Sequence, residues 1–371
     1  MNISFSKLNI QKKDLFVVKN IIKSGWLTHG KYTSLFENEF KKFTKSKYAI
    51  TVSSCTAALH LSCLAAGFSK NDEVIVPAQT HTATAHAVEY NGAKAIFTDV
   101  ENYSGNISLD LIKKKVTKKT RGLILVHMAG IPCDLERIYN YCKKKNILII
   151  EDCAHALGTK FKKKHVGNYG IAGCFSFYPT KQITTGEGGM LITNSRKIYE
   201  KVKMLKGFGI DKDINKRKKQ GEYDVKHLGY NYRMTDFQAA LGYFQLKRYK
   251  KNLLKRKNNA KLYIKYLMNS PNIKFEKFSE NNSYFIFQIF CENRDKMLRI
   301  FKEKKIGVSI HYNKVIPLMT YYKKKYNLNK KNFKNAIHYS NTNISLPVYP
   351  KLSKKEIKII CNNLTSFAEE K

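Results

Sequence analysis

Apolar positions along this chain change period several times. Residues 10–24 place Leu15, Val18, Ile21 and Ile22 at helical spacing, and 33–43 do the same with Leu35, Phe36, Phe40 and Phe43. Both stretches predict amphipathic helices, separated by a break at Gly25-Trp26-Leu27-Thr28-His29-Gly30. From residue 47 short, almost unbroken apolar runs alternate with helical stretches. Strands are predicted at 47–52, 72–77, 95–99, 121–127 and 147–152, with helices opening near Cys55 and Gln79 and a third over 134–145. Strands that are apolar throughout are buried on both faces, so this pattern predicts a mostly parallel sheet covered by helices on either side.

Another apolar run, Phe175-Ser176-Phe177, ends just before Lys181 and the loop Gln182-Ile183-Thr184-Thr185-Gly186-Glu187-Gly188-Gly189. A strand at 191–193 and a helix at 196–206 follow, then a charged loop at 212–220 that reads as mobile. Residues 235–268 predict one long helix, basic on its outer face, that bridges into a second unit. Beyond it the strands are shorter and separate, at 272–275, 284–290 and 308–312, with a helix at 294–304. The expected architecture is α/β: a large domain over 1–245 and a smaller α+β domain over 246–371.

Composition narrows the classes. The 371 residues carry a formal net charge of +40, which raises the question of nucleic acid. The charge is mostly lysine, in runs such as Lys113-Lys114-Lys115 and Lys323-Lys324-Lys325 spread along the chain, and arginine is scarce. That pattern fits a solvated lysine-rich surface better than a base-reading patch, and it would still attract a polyanionic substrate. None of the eight cysteines forms a Cys-x-x-Cys pair, so buried free thiols are expected, with neither a metal site nor a disulfide framework. No apolar run reaches the roughly 18 residues of a membrane span. Met1-Asn2-Ile3-Ser4-Phe5-Ser6-Lys7 lacks the apolar core of a signal peptide, and a cytoplasmic protein is expected. Neither Gly-x-Gly-x-x-Gly nor a Walker loop follows a predicted strand.

Ligands of such sheets bind beyond the carboxyl ends of the strands. Three predicted ends offer chemistry: the hydroxyls of Ser53-Ser54-Cys55-Thr56 at a helix start, the imidazole of His81, and the carboxylate of Asp152 with His155 beyond it. Taken singly, each has a plain alternative: an N-cap, a core hydrogen bond, a solvated lysine before a hairpin. Taken together, a desolvated lysine amine, a buried carboxylate and a phosphate-holding helix start describe a pyridoxal phosphate site.

The motifs Ser24-Gly25-Trp26-Leu27-Thr28, Ser54-Cys55-Thr56-Ala57-Ala58-Leu59, Ile150-Glu151-Asp152-Cys153-Ala154-His155-Ala156, Phe175 to Lys181, Gly186-Glu187-Gly188-Gly189, Gly229-Tyr230-Asn231-Tyr232-Arg233 and Ser345-Leu346-Pro347-Val348-Tyr349-Pro350 run through nearly the whole chain. In this order and spacing the sequence resembles the DegT/StrS-type nucleotide-sugar aminotransferases. The resemblance implies the pyridoxal phosphate-dependent transferase fold of type I, with a seven-stranded sheet. Lys181 matches the lysine that forms an imine with the cofactor and moves the proton, and Asp152 the partner of the pyridine nitrogen. His155 matches the neighbour of the ring's phenolic oxygen, and His81 the aromatic that stacks on the ring. Cys55, Thr56 and Ser176 match the phosphate-binding positions, with Cys55 standing where many relatives have glycine. Asn231 matches a residue that reaches the cofactor of the other subunit, which implies a homodimer with shared sites.

Thr28, Tyr178, Glu187, Arg233, His311 and Tyr312 fall at substrate-binding positions, although His311-Tyr312-Asn313-Lys314 lacks the proline and second histidine that often follow. The implied reaction moves an amino group from glutamate to a nucleotide-linked keto sugar. Glu187 favours the 4-keto position over the 3-keto alternative, and a non-catalytic regulatory protein that binds the same cofactor is the remaining reading.

Overall fold

The computed structural model of the chain describes residues 2–211, 219 and 221–369. The expected mobile loop at 212–220 lies almost wholly outside them. Two helices lead, α1 (Lys12–Lys23) and α2 (Lys31–Thr44). Strands and helices then alternate: β1 (Tyr48–Val52), α3 (Cys55–Ala66), β2 (Glu73–Pro77), α4 (Thr82–Glu89), β3 (Lys94–Thr98), α5 (Leu109–Lys113), β4 (Thr120–Val126), α6 (Leu135–Lys144) and β5 (Leu148–Asp152). A short ribbon of β6 (Lys160–Phe161) and β7 (Lys164–His165) precedes β8 (Ala172–Ser176) and β9 (Gly189–Thr193), followed by α7 (Arg196–Leu205), α8 (Asp236–Lys247) and α9 (Tyr249–Leu267). The rest comprises β10 (Phe287–Phe290), α10 (Arg294–Glu303), α11 (Thr320–Tyr326), α12 (Lys334–Thr342), β11 (Asn343–Leu346) and α13 (Lys354–Glu369).

Seven strands form one sheet in the order β1-β9-β8-β5-β4-β2-β3. Only β9 runs against its neighbours β1 and β8, while the other pairs are parallel. The α/β class and the mostly parallel sheet are therefore present. The carboxyl ends of β1, β2, β4, β5 and β8 open along one edge, where the expected chemistry lies. Side chains of the sheet and its helices merge into one core, with Phe36, Phe40, Phe175 and Phe177 packed ring against ring. A second core gathers Tyr263, Phe287, Phe301 and Leu364 and takes in Ile3 from the other end of the chain. A small third cluster joins Val126, Met128 and Ala129, at the end of β4, to Phe285, Ile286 and Tyr339. This seam brings the C-terminal part of the chain to the active edge of the sheet.

Four expectations need correction. The helix over 235–268 is two helices, broken at Arg248, whose backbone leaves the helical region (φ −101°, ψ 3°). Its guanidinium turns inward to the buried Asp14 carboxylate and to Asn9 O at 2.7 Å, an interaction that apolar periodicity does not report. For the same reason the buried side of α1 carries Asp14 and Ile21, and Leu15 and Ile22 are exposed. Of the late strands only Phe287–Phe290 forms, paired with β11, which the apolar pattern leaves unmarked. Lys274 and Ser309 make single bridges, and Tyr284 sits at φ +48° with its amide capped by Asn282 Oδ1 at 2.7 Å, so the strand starts only at Phe287. The helix expected from Gln79 begins at Thr82, because His81 is its N-cap. All eight cysteines are free and buried, and among the described residues no helix is long and apolar enough to cross a membrane.

Candidate active site

Lys181 follows β8 in a tight turn, its amide donating to Tyr178 O at 2.9 Å. The side chain is half-buried, and burial lowers its pKa to about 8, against the opposing pull of Cys55 and Asp152. Its Nζ lies 4.4 Å from the centre of the Phe285 ring.

Asp152 ends β5 and is 4% exposed. One carboxylate oxygen accepts from Thr84 Oγ1 at 2.8 Å and the other from the Ala154 amide at 3.1 Å. Burial raises its pKa, while these two bonds and the charges of Lys181 and His81 pull it down. The carboxylate retains lone pairs for a further partner.

His155 is buried just beyond. Its Nδ1 accepts from the Ala129 amide at 3.4 Å, so the proton of the neutral ring sits on Nε2, 3.1 Å from the Tyr312 hydroxyl. Burial pushes its pKa well below the usual value, and Lys181, His311 and His81 add to that. His81 stands exposed at the rim, with Nδ1 accepting from the Ala83 amide at 3.2 Å and its ring edge toward Tyr312 at 5.6 Å. Partial enclosure and then Lys181 lower its pKa, and Asp152 opposes them. His311 is buried, its pKa driven down to about 3 chiefly by desolvation, and its Nδ1 lies 2.9 Å from Ser345 Oγ. Tyr312 is tied to the sheet through its carbonyl, which accepts from Gln79 Nε2 at 2.8 Å.

The helix start completes the cluster. Ser54 caps α3 by accepting the Ala57 amide at 3.0 Å, and among the described residues the Cys55 and Thr56 amides find no acceptor. Burial holds the Cys55 thiol protonated by raising its pKa well above the usual value. Gly189 lets β9 pass close to this turn: a Cβ there would come within 2.5 Å of Ser54 backbone and 2.7 Å of Cys55 N. Among the described residues Ser176 Oγ accepts only the Tyr178 amide, at a long 3.4 Å. Two free amides, nearby hydroxyls and the positive end of a helix dipole suit a phosphate. An incompletely paired carboxylate and a lysine of lowered pKa suit a protonated ring nitrogen and an aldehyde. The residues present fit pyridoxal phosphate.

Thus Cys55, His81, Asp152, His155, Lys181, His311 and Tyr312 come together. Thr28, Glu187, Asn231 and Arg233 lie outside this cluster, on segments around the start of α8. There Leu27 O accepts the Asp236 amide, and Glu187 O accepts Gln238 Nε2 at 2.9 Å. The Arg233 guanidinium rests 4.9 Å from the Phe208 ring centre. Tyr178, Glu187 and Asn231 are exposed. Sequence reasoning passed over Thr84, Gln79 and Phe285. Thr84 carries a faint signal, one helical turn beyond Thr80, to whose hydroxyl it is linked at 2.9 Å. Phe285 carries none, since it arrives from more than a hundred residues away.

Comparisons with known proteins place the chain in a family. The profile of the DegT/DnrJ/EryC1/StrS aminotransferase family matches residues 8–365. The chain is 35% identical over 363 residues to GDP-perosamine synthase of Escherichia coli O157:H7, covering 97% of this chain and 96% of that one. Its fold is similar to the PLP-form of the putative sugar aminotransferase Spr1654 from Streptococcus pneumoniae, with a TM-score of 0.92 at 28% identity over 100% of this chain and 99% of that one. It is equally similar to Helicobacter pylori PseC, an aminotransferase involved in the biosynthesis of pseudoaminic acid, with a TM-score of 0.92 at 27% identity over 100% of both chains. With a family match that spans almost its full length and a cofactor-shaped cluster around Lys181, the chain belongs to the DegT/DnrJ/EryC1/StrS aminotransferase family and is a pyridoxal phosphate-dependent enzyme.

Proposed function

We propose that this enzyme moves an amino group from glutamate to C4 of a nucleotide-linked 4-keto-6-deoxy sugar, for amino sugars of a surface polysaccharide. The observation that carries the reading is Lys181, an amine whose pKa lies near 8 in the field of buried Asp152. The names of the relatives, a GDP-perosamine synthase and an aminotransferase of pseudoaminic acid biosynthesis, support a sugar acceptor.

Bound pyridoxal phosphate supplies an electron-accepting ring that carries nitrogen from donor to acceptor. Asp152 would pair with the ring nitrogen and keep a proton there. The Cys55 and Thr56 amides, with the hydroxyls of Thr56 and Ser176, would hold the phosphate. His81 and His155 would line the ring, and the Tyr312 hydroxyl, whose oxygen accepts His155 Nε2–H, keeps its own proton for a ligand. Lys181 Nζ takes the proton from the carbon that loses it and returns it to the carbon that gains nitrogen, a role suited to an amine that is partly neutral at physiological pH. Thr28, Tyr178, Glu187, Arg233, His311 and Tyr312 form the substrate side, and the net charge of +40 draws in a diphosphate.

The reading takes 1–245 as the cofactor-binding unit, 246–371 as the smaller one, and a cytoplasmic homodimer as the working form. Asn231 then serves the partner's cofactor, as its exposure and the 87% exposure of nearby Leu228 allow. The test offers purified enzyme a panel of nucleotide-linked 4-keto and 3-keto deoxy sugars with glutamate, and mass spectrometry reads which gains an amine. Amination of a 4-keto sugar is expected. Exclusive use of a 3-keto sugar moves the nitrogen to C3, and no amination of any with no glutamate-dependent loss of visible absorption favours the regulatory alternative.

A further inference from the structure

Phe285 belongs to the apolar seam at the end of β4, yet one part of its ring leaves that seam and meets the lysine loop. Its ring is 3% exposed yet lies among basic groups: Lys181 Nζ at 4.4 Å, the His155 imidazole stacked at 4.4 Å and 23°, and the His311 imidazole edge-on at 5.5 Å and 85°. The turn that carries it is pinned from three directions. Gln182, the residue after Lys181, donates to His155 O at 2.9 Å and lies 3.2 Å from Ser283 Oγ. Ser283 Oγ lies 2.9 Å from Thr159 Oγ1, and the Ser283 amide donates to the same hydroxyl at 3.3 Å. From α9 the buried Arg256 Nη1 donates to Tyr284 O at 3.3 Å and Phe285 O at 3.2 Å.

Such a web costs conformational entropy and needs a return. A cation attracted to an aromatic face is held on that side of its surroundings. We propose that Phe285 is a positioning residue for Lys181: its ring face receives the ammonium, and the Gln182–Ser283–Thr159 cluster fixes that face to the lysine loop. The inference goes beyond the choice of sugar and holds whichever acceptor is used.

The charged and titratable groups around the amine are Asp152 from β5, Cys55 from α3, His81 from the cap of α4, and His155, His311 and Tyr312 beyond the ring. Burial and the lysine's own charge lower all three histidine pKa values, so none of the three is a rival cation for the ring near neutral pH. Phe285→Leu keeps an apolar contact but removes the π face, so the protonated amine loses its attraction and the amine titrates lower.

The experiment follows Lys181 in the cofactor-free full chain by competitive acetylation across about pH 6 to about pH 10, read by peptide mass spectrometry. Phe285→Leu is expected to lower the midpoint by roughly half a pH unit, and so to speed acetylation at neutral pH about threefold. Phe285→Tyr, which keeps the ring, is expected to titrate like the parent. Circular dichroism and cofactor uptake of each variant check folding, and Phe285→Met serves if the leucine variant does not fold. An unchanged or raised midpoint in the ring-less variants, or a tyrosine variant that shifts as far as they do, overturns the proposal.

Discussion

On one side of the sheet the carboxylate of Glu151 ends in a closed polar knot, and on the other the carboxylate of Asp152, the next residue, ends in an open site. Alternation along β5 is what separates them. Glu151 Oε1 accepts the Tyr169 and Gly170 amides, each at 2.7 Å, and Oε2 accepts the Gly167 amide at 2.7 Å and His127 Nε2 at 3.1 Å. The other ring nitrogen of His127 accepts the Cys133 amide at 3.2 Å, which places the ring proton on the Glu151 side. Burial works to raise the Glu151 pKa, but the His127 bond and the amides prevail and lower it. Asp152 has two donors, and there burial prevails. A buried carboxylate with four donors holds the loop after β7 in place, whereas one with two keeps capacity for a ligand. Cys153 brings a thiol close enough to His127 and Glu151 to suggest a metal site, but the carboxylate oxygens there are already filled.

The comparison breaks most sharply at the lysine. Lys181→Met should abolish amination, measured by product mass spectrometry, and full turnover would remove Lys181 from the chemistry. Next, Asp152→Asn should cost about a hundredfold or more in kcat with little change in stability. Asparagine Oδ1 can still accept the Ala154 amide, and its Nδ2 can donate to Thr84 Oγ1, which then turns its own proton to Thr80. A folded variant that keeps parental kcat would mean that Asp152 does not serve the cofactor.

Glu151→Gln should do the reverse. Its amide nitrogen would face the Gly167 N–H and His127, leaving a buried donor unpaired, at a cost of about 3–5 kcal/mol in chemical denaturation. The surviving folded fraction should turn over normally. A stable variant with damaged kcat would dissolve the distinction between the two carboxylates.

The smallest effect sharpens the contrast through pH. The fold disfavours the Lys181 ammonium, with a pKa near 8 against an ordinary 10.5. Below pH 8 both folded and unfolded chains are protonated and the fold bears that cost, so cofactor-free Lys181→Met should melt above the parent. Between pH 8 and 10.5 the folded chain sheds the proton that the unfolded chain keeps, so the parent gains and the gap closes. A gap independent of pH would show that the amine is not desolvated.

Most of the sheet was legible because its strands are buried on both faces and read as continuous apolar runs, a local signal. The late strands were not, since β10 and β11 pair across more than fifty residues and Tyr284 bends the chain with a conformation no periodicity announces. Nor was the break at Arg248, where an ion pair with Asp14 turns the chain. Within the site, Lys181, Asp152 and the start of α3 stand at strand and helix ends and could be read from spacing together with the family motifs.

The sequence by itself determined the chemical kit and the edge of the sheet on which it would be displayed, because strand ends and helix starts follow from local pattern. Only the tertiary structure decided how each group is charged and what it touches. Glu151 and Asp152 are both acidic residues, side by side in the sequence, and their difference comes from donors that arrive from the turn after β4, α4 and the loop after β7. Phe285 likewise reaches Lys181 only when the C-terminal part of the chain closes over the sheet. Desolvation and hydrogen-bond count are properties of the packed neighbourhood, and no stretch of this chain carries them alone.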